Sequence, residues 1–164
     1  MIARCCGTAV GWSIALHAES LSQHYILIDK LLSQMPDRPD LKPSIATIFM
    51  DYSCGLRQFV LDREGDGTAG NPQGVFGRHG LDVPEFVVDR FHFGKHDDDY
   101  CRTHCDPKNH PKLAHINSEI CEQLFSWLSR YKFSLGNMTM HVFKFFVSSL
   151  LIERNAFINL GIPI

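Results

Sequence analysis

The chain lacks the features that mark membrane proteins, disulfide-rich domains and strongly basic nucleic-acid binders. No apolar run approaches the length of a membrane span. The formal net charge is −2, so no overall basic field attracts nucleic acid, although a local patch of Arg102, Lys108 and Lys112 stays open. Six cysteines, unevenly placed, are too few for a disulfide framework. Reduced thiols in an intracellular compartment are expected.

What is present is typical of one globular domain. The 164 residues suffice for a single domain, 1–164, with its own core. Hydrophobic residues make up 45% and charged residues 21%, which are ordinary values for a soluble protein.

Strands and helices alternate along the first half. An apolar stripe at helical spacing follows Ser20 and predicts a helix. The nearly continuous apolar run 44–50 predicts a strand buried on both faces, and 86–89 predicts a second strand. Between them, residues 62–82 contain seven glycines and prolines and no periodicity, which predicts a flexible surface loop.

Two helices are predicted in the second half, over about 118–131 and 138–154. Together with the strands they indicate an α/β class. For the second helix the apolar spacing predicts an inward face of Val142, Phe145, Phe146, Ser149 and Ile152.

Acidic residues occupy two positions suited to metal chemistry. Asp51 closes the first apolar strand, and a carboxylate at a strand end suits Mg²⁺, although it equally suits a turn or helix cap. Glu119 and Glu122 lie three apart at a helix start, where acidic residues are also favoured by the helix dipole.

A histidine- and cysteine-rich loop follows the second strand. His92, His96, Cys101 and Cys105 form an H-x3-H-x4-C-x3-C pattern. Two imidazoles and two thiolates match a tetrahedral structural Zn²⁺ site. Alternatively, His92 packs among aromatic neighbours and the cysteines act as small apolar fillers.

Three segments carry a resemblance to a known family. Residues 48–54 (IFMDYSC), 88–101 (VDRFHFGKHDDDYC) and 117–128 (NSEICEQLFSWL) resemble the Kyakuja–Dileera–Zisupton (KDZ) transposases over most of residues 5–157. The resemblance implies an α/β fold with an incomplete ribonuclease-H-like core, a His/Cys-rich loop and C-terminal helices.

The resemblance also implies a DDE-type centre for DNA cleavage and strand transfer, with Mg²⁺ as its metal, DNA as its partner and the nucleus as its location. Asp51 matches the acidic residue of a core strand. Glu122 matches the helical glutamate, with Glu119 as its alternative, whereas Asp89 matches only a supporting position.

One departure qualifies this assignment. The family's first catalytic aspartate lies on an opening strand that this chain lacks, and two-metal catalysis needs all of its bridging carboxylates. We therefore expect a truncated or domesticated remnant, inactive alone, that acts through self-association or an intact transposase. The alternatives are a zinc-stabilised DNA- or protein-binding module without catalysis, and a mis-bounded gene model that does not fold alone.

Overall fold

A computed structural model describes residues 1–14, 20–34, 45–65 and 73–162. The strands are β1 (Ile2–Ala3), β2 (Ala9–Gly11), β3 (Thr47–Phe49) and β4 (Glu85–Val87). The helices are α1 (Leu21–Ser33), α2 (Ser53–Glu64), α3 (Val75–Arg78), α4 (Arg90–Phe93), α5 (Asp99–His104), α6 (Ile120–Leu128), α7 (Lys132–Gly136) and α8 (Met140–Asn159). Short 3₁₀ turns occupy Pro107–Asn109, Pro111–Leu113 and Ser129–Tyr131.

The chain forms two compact units. The central unit comprises Ser13–Ser118, and the terminal unit combines Met1–Trp12 with Glu119–Ile164. Helices dominate both units, and within the described ranges each contains one two-stranded sheet. The mixed α/β class predicted from the sequence is confirmed at this level.

The central unit is built on a parallel pair of strands. β3 pairs with β4 in the register Thr47↔Glu85, Ile48↔Phe86 and Phe49↔Val87. Parallel strands need a crossover connection, and here α2 and α3 lie on it. β4 contributes two fully buried residues, whereas β3 is only half-buried, so the prediction that the first strand is buried on both faces was wrong. Among the described residues, β3 has a strand neighbour on one side only.

The core of the central unit joins the crossover helices to β4. α2 packs against β4, α1 and α3, and its Leu56 and Val60 are fully buried. Phe76 of α3 and Phe86 of β4 are buried equally well. Burying a side chain of this kind stabilises a fold by about 1.5–3 kcal/mol. α1 begins at Ser20 with a capping box, in which Ser20 and Gln23 exchange side-chain-to-backbone hydrogen bonds.

A buried carboxylate joins the end of α2 to the start of α3. Glu64 Oε1 accepts hydrogen bonds from the Tyr25 hydroxyl at 2.5 Å and from the Phe76 amide at 3.0 Å. Its Oε2 accepts from the Gly77 amide at 3.3 Å. Glu64 is only 2% exposed, so these donors replace the water that the carboxylate loses on folding.

The terminal unit packs its three helices against a short antiparallel hairpin of β1 and β2. Asn155 of α8 bonds both backbone groups of Ala9, accepting from its amide at 2.9 Å and donating to its carbonyl at 2.7 Å. Arg154 donates to the Gly7 carbonyl at 2.6 Å. The buried core of this unit contains Leu124, Leu135, Val147 and Leu151.

Two details differ from the sequence-based expectations. The predicted inward face of α8 is exposed, and the buried face carries Val147 and Leu151 instead. α8 carries apolar residues on most sides, so the spacing of apolar residues alone was compatible with two different buried faces. The predicted loop 62–82 includes the last turn of α2 and all of α3, while residues 66–72 lie outside the described part of the chain.

Replacement of Gly74 by alanine tests the Glu64 network. A Cβ at this position would lie 2.3 Å from the Glu64 carboxylate, which could move away only by giving up its donors. We expect Gly74→Ala to lower the free energy of unfolding by about 1–3 kcal/mol, measured by urea denaturation. Gly94→Ala is the matched control, because its Cβ meets nothing within 4 Å. Equal stability of the two variants would contradict the proposed packing.

Candidate metal centre

Three potential metal ligands converge in the central unit. The donor atoms of Cys54, His96 and Cys101 all lie within 4.8 Å of one another. Two sulfurs and one imidazole nitrogen form a soft donor set, which is compatible with Zn²⁺. In the described part of the chain, these three side chains form a group whose donor atoms are close enough together to bind one metal ion.

Cys54 is placed by the junction between the strand pair and α2. Its neighbour Ser53 is fully buried, and the Ser53 hydroxyl lies 2.9 Å from the Met50 carbonyl and 2.8 Å from the Val87 carbonyl. These contacts connect the ends of β3 and β4 to the first residue of α2. Cys54, the next residue, is therefore held in the first turn of the helix, beside the segment that leaves β4.

Cys101 and Cys105 are placed by α5. Asp98 caps this helix by accepting a hydrogen bond from the Cys101 amide at 3.0 Å. The Cys105 carbonyl accepts from the Val88 amide at 2.9 Å, which connects the end of α5 to the residue after β4. Both residues are fully buried and lie in one buried cluster with Cys54 and Val88.

The His96 ring has partners at both nitrogens. Its Nδ1 lies 3.3 Å from the Cys101 sulfur and 3.8 Å from the Cys54 sulfur. Its Nε2 lies 3.3 Å from Asp51 Oδ1. The ring therefore connects the thiol cluster on its inner side with a carboxylate on its outer side.

Burial changes the acid–base behaviour of the thiols. Loss of water raises the pKa of Cys101 to about 12 and that of Cys105 to about 11, because the charged thiolate is disfavoured in this cluster. The nearby Cys54 sulfur adds to both increases. A metal ion would reverse this preference, since a coordinated thiol loses its proton.

The connectivity Cys101–His96–Asp51 also matches that of a Cys/His/Asp catalytic triad. A nucleophilic cysteine needs a low pKa and access to substrate. Cys101 has neither, because it is 0% exposed and its pKa is raised. The arrangement therefore favours a metal site over nucleophilic catalysis.

The sequence-predicted zinc ligands separate into two places. His96 and Cys101 belong to the converging group, and Cys105 lies beside them. His92 is engaged elsewhere, with its Nδ1 2.8 Å from Asp89 Oδ2. Asp89 directly precedes α4 and also accepts from two amides of that helix, including the His92 amide.

The predicted magnesium ligands belong to different units. Asp51 follows β3 in the central unit, and its side chain is 61% exposed. Glu122 lies exposed in the first turn of α6 in the terminal unit, and Glu119 directly precedes that helix. The convergence of Asp51 and Glu122 on one cation stays a prediction.

Cys54 is the candidate ligand that sequence reasoning missed. It lies 42 residues before His96, far outside the H-x3-H-x4-C-x3-C pattern. The available signal was its place three residues after Asp51, in the first turn of the helix that follows β3. The parallel neighbour of β3 leads into the His/Cys loop. Only the pairing of β3 with β4 turns that position into proximity.

Comparison with known proteins identifies no relative. No protein-family model, no curated protein and no solved structure matches the chain. Across the described residues, none of the helices combines the length and apolarity needed to cross a bilayer.

Thiol alkylation tests the burial of the cluster in the metal-free chain. We expect N-ethylmaleimide to modify Cys6 at least about tenfold faster than Cys101 or Cys105, because reaction requires an accessible thiolate. Cys6 is exposed, and a hydrogen bond with Thr8 lowers its pKa. Peptide mass spectrometry at timed intervals measures the order of labelling. Labelling of Cys101 as fast as that of Cys6 would contradict the buried cluster.

Proposed function

We propose that this chain is a zinc-stabilised α/β interaction module. The observation that carries the proposal is the convergence of Cys54, His96 and Cys101 within 4.8 Å. These residues come from α2, from the segment after α4, and from α5. A metal bound to all three would crosslink segments that are distant in sequence, as structural zinc does in small domains.

The donor chemistry supports Zn²⁺ rather than Mg²⁺ at this position. Magnesium prefers oxygen ligands and retains much of its water, whereas the group offers sulfur and nitrogen in a buried cluster. Zinc binding would add to the stability that the buried core already supplies, because a ligand that binds only the folded chain stabilises it.

Cys105 is the candidate for the fourth ligand. A closed structural zinc site has four protein donors, and the group supplies three. The Cys105 thiol lies in the same buried cluster as Cys54 and Cys101. Its sulfur is not one of the three converging donors, so binding would require this thiol to move toward the ion.

Elemental analysis tests the proposed zinc site. Protein purified without chelator is expected to contain about one zinc ion per chain. Cys101→Ser should abolish this content, and Cys105→Ser should weaken zinc affinity without abolishing binding if the thiol is the fourth ligand. Chelation should lower the melting temperature of the wild type, because a ligand that binds only the folded chain stabilises it.

Cys5→Ser serves as the matched control, because Cys5 is an exposed cysteine outside the cluster. It should retain full zinc content. Wild-type protein without zinc, and without affinity for added Zn²⁺, would overturn the proposal. Equal zinc loss in Cys5→Ser would show that the effect is not specific to the cluster.

A second candidate function is a remnant of a KDZ-type transposase catalytic domain with DNA as its partner. It is supported by the parallel pair, in which Asp51 and Asp89 each follow the carboxyl end of a strand. Carboxyl ends of parallel strands share one edge, where α/β sheets present functional groups. A ribonuclease-H-like core would place acidic residues at such an edge.

We expect this remnant to lack nuclease activity by itself. Asp51 faces His96, and Asp89 is occupied by His92 and the amides of α4, so neither carboxylate is arranged to bridge two metal ions. Labelled duplex DNA incubated with the purified chain and Mg²⁺ or Mn²⁺ should stay intact on a denaturing gel. Cleavage that is lost in Glu122→Gln, a substitution remote from the zinc ligands in sequence, would show that the activity survives.

A further inference from the structure

The two ring nitrogens of His96 have different neighbours, and the zinc proposal assigns a role to only one of them. Its Nδ1 faces two sulfurs, and its Nε2 faces the Asp51 carboxylate at 3.3 Å. We propose that Asp51 is the positioning residue of the metal centre and fixes the tautomer and orientation of His96. This inference rests on the proposed function, because it assigns a role at the same metal site.

The hydrogen-bonding capacities of the neighbours select one tautomer. A neutral imidazole has one N–H donor and one acceptor nitrogen. An ionised carboxylate only accepts, so Asp51 requires the proton to be on Nε2. The Cys101 thiol, 3.3 Å from Nδ1, can donate to the lone pair that this tautomer leaves on Nδ1. Both sides of the ring therefore favour the tautomer that presents Nδ1 to a metal ion.

Asp51 is suited to orient the ring and not to bind the same ion. Its oxygen lies at the ring nitrogen opposite the sulfurs and is not among the converging donors. Carboxylate–histidine–metal arrangements of this kind hold the ring in place and raise the basicity of the ligand. The Asp51 side chain is 61% exposed, so it keeps much of its hydration while doing so.

The segment that connects β3 to α2 contains both Asp51 and the candidate ligand Cys54. Asp51 follows β3, and Cys54 lies three residues later in the first turn of α2. One short segment therefore contributes a ligand and the group that orients a second ligand. The bonds from the Ser53 hydroxyl to the strand ends fix that segment, so the orientation of His96 is set before an ion binds.

Zinc affinity of Asp51 variants tests the inference. Competition with a chromophoric chelator should show about 10–100-fold weaker Zn²⁺ binding for Asp51→Ala than for the wild type. Asp51→Asn keeps an accepting oxygen and should recover part of this loss. Asp97→Ala is the matched control, because Asp97 is a nearby carboxylate that pairs with exposed Arg102. It should bind zinc as the wild type does.

The tautomer of His96 provides a readout that a merely structural role would not change. Long-range ¹H–¹⁵N correlation spectra of the zinc-free wild type should show the proton on Nε2, and Asp51→Ala should show a mixture of tautomers. Proton occupancy on Nδ1 in the wild type would overturn the inference even if the alanine variant failed to fold.

The results separate the two proposals. Unchanged zinc affinity in folded Asp51→Ala, with wild-type binding intact, would overturn the role of Asp51 and leave the zinc module standing. Absence of zinc binding in the wild type would overturn both. Far-UV circular dichroism of each variant confirms that the comparison is made between folded proteins.

Discussion

The parallel pairing of β3 with β4 is the constraint on which the candidate centre depends. It brings the turn after β3, with Asp51 and Cys54, beside the segment after β4 that leads to His96 and Cys101. The Ser53 hydroxyl reinforces the pairing at the carbonyls of Met50 and Val87. Slippage of the pair by one residue would point alternate side chains to the other face and separate the donors. The candidate metal site thus depends on the register of the strand pair.

The sequence predicted the local elements well and the long-range geometry only in part. α1 follows a periodic apolar stripe after a capping serine, and β3 lies within its predicted apolar run, so local rules suffice for these two elements. β4 shares Phe86 and Val87 with the predicted strand 86–89 but begins one residue earlier. His96 and Cys101 could be proposed as ligands because they lie five residues apart. Cys54 could not, because its partners are more than forty residues away and only the register of the pair relates them.

Tertiary contacts that local sequence rules do not give also explain why two sequence-based assignments differ from the structure. For α8, an apolar circumference allowed two inward faces, and the choice depended on where Leu124 and Leu135 lie in the folded terminal unit. For His92, spacing suggested a metal ligand, but Asp89 lies three residues earlier. The Asp89 carboxylate accepts a hydrogen bond from the His92 amide and lies 2.8 Å from the His92 ring nitrogen Nδ1. A short-range bond of this kind competes with any longer-range role. Pattern and spacing identify donors, whereas tertiary contacts decide their partners.

Two different roles have been considered for the Asp51 carboxylate, as a magnesium ligand and as the group that orients His96. As a magnesium ligand it would need to face a hard cation together with further oxygen donors. Its carboxylate is instead held against the imidazolyl Nε2 of His96, whose other nitrogen faces sulfur. A carboxylate that orients His96 for a soft ion has less freedom to bridge hard ions, since a hydrogen bond and a metal would compete for the same oxygen. The contact with His96 therefore supports the positioning role that we propose for Asp51 over a bridging role between hard ions.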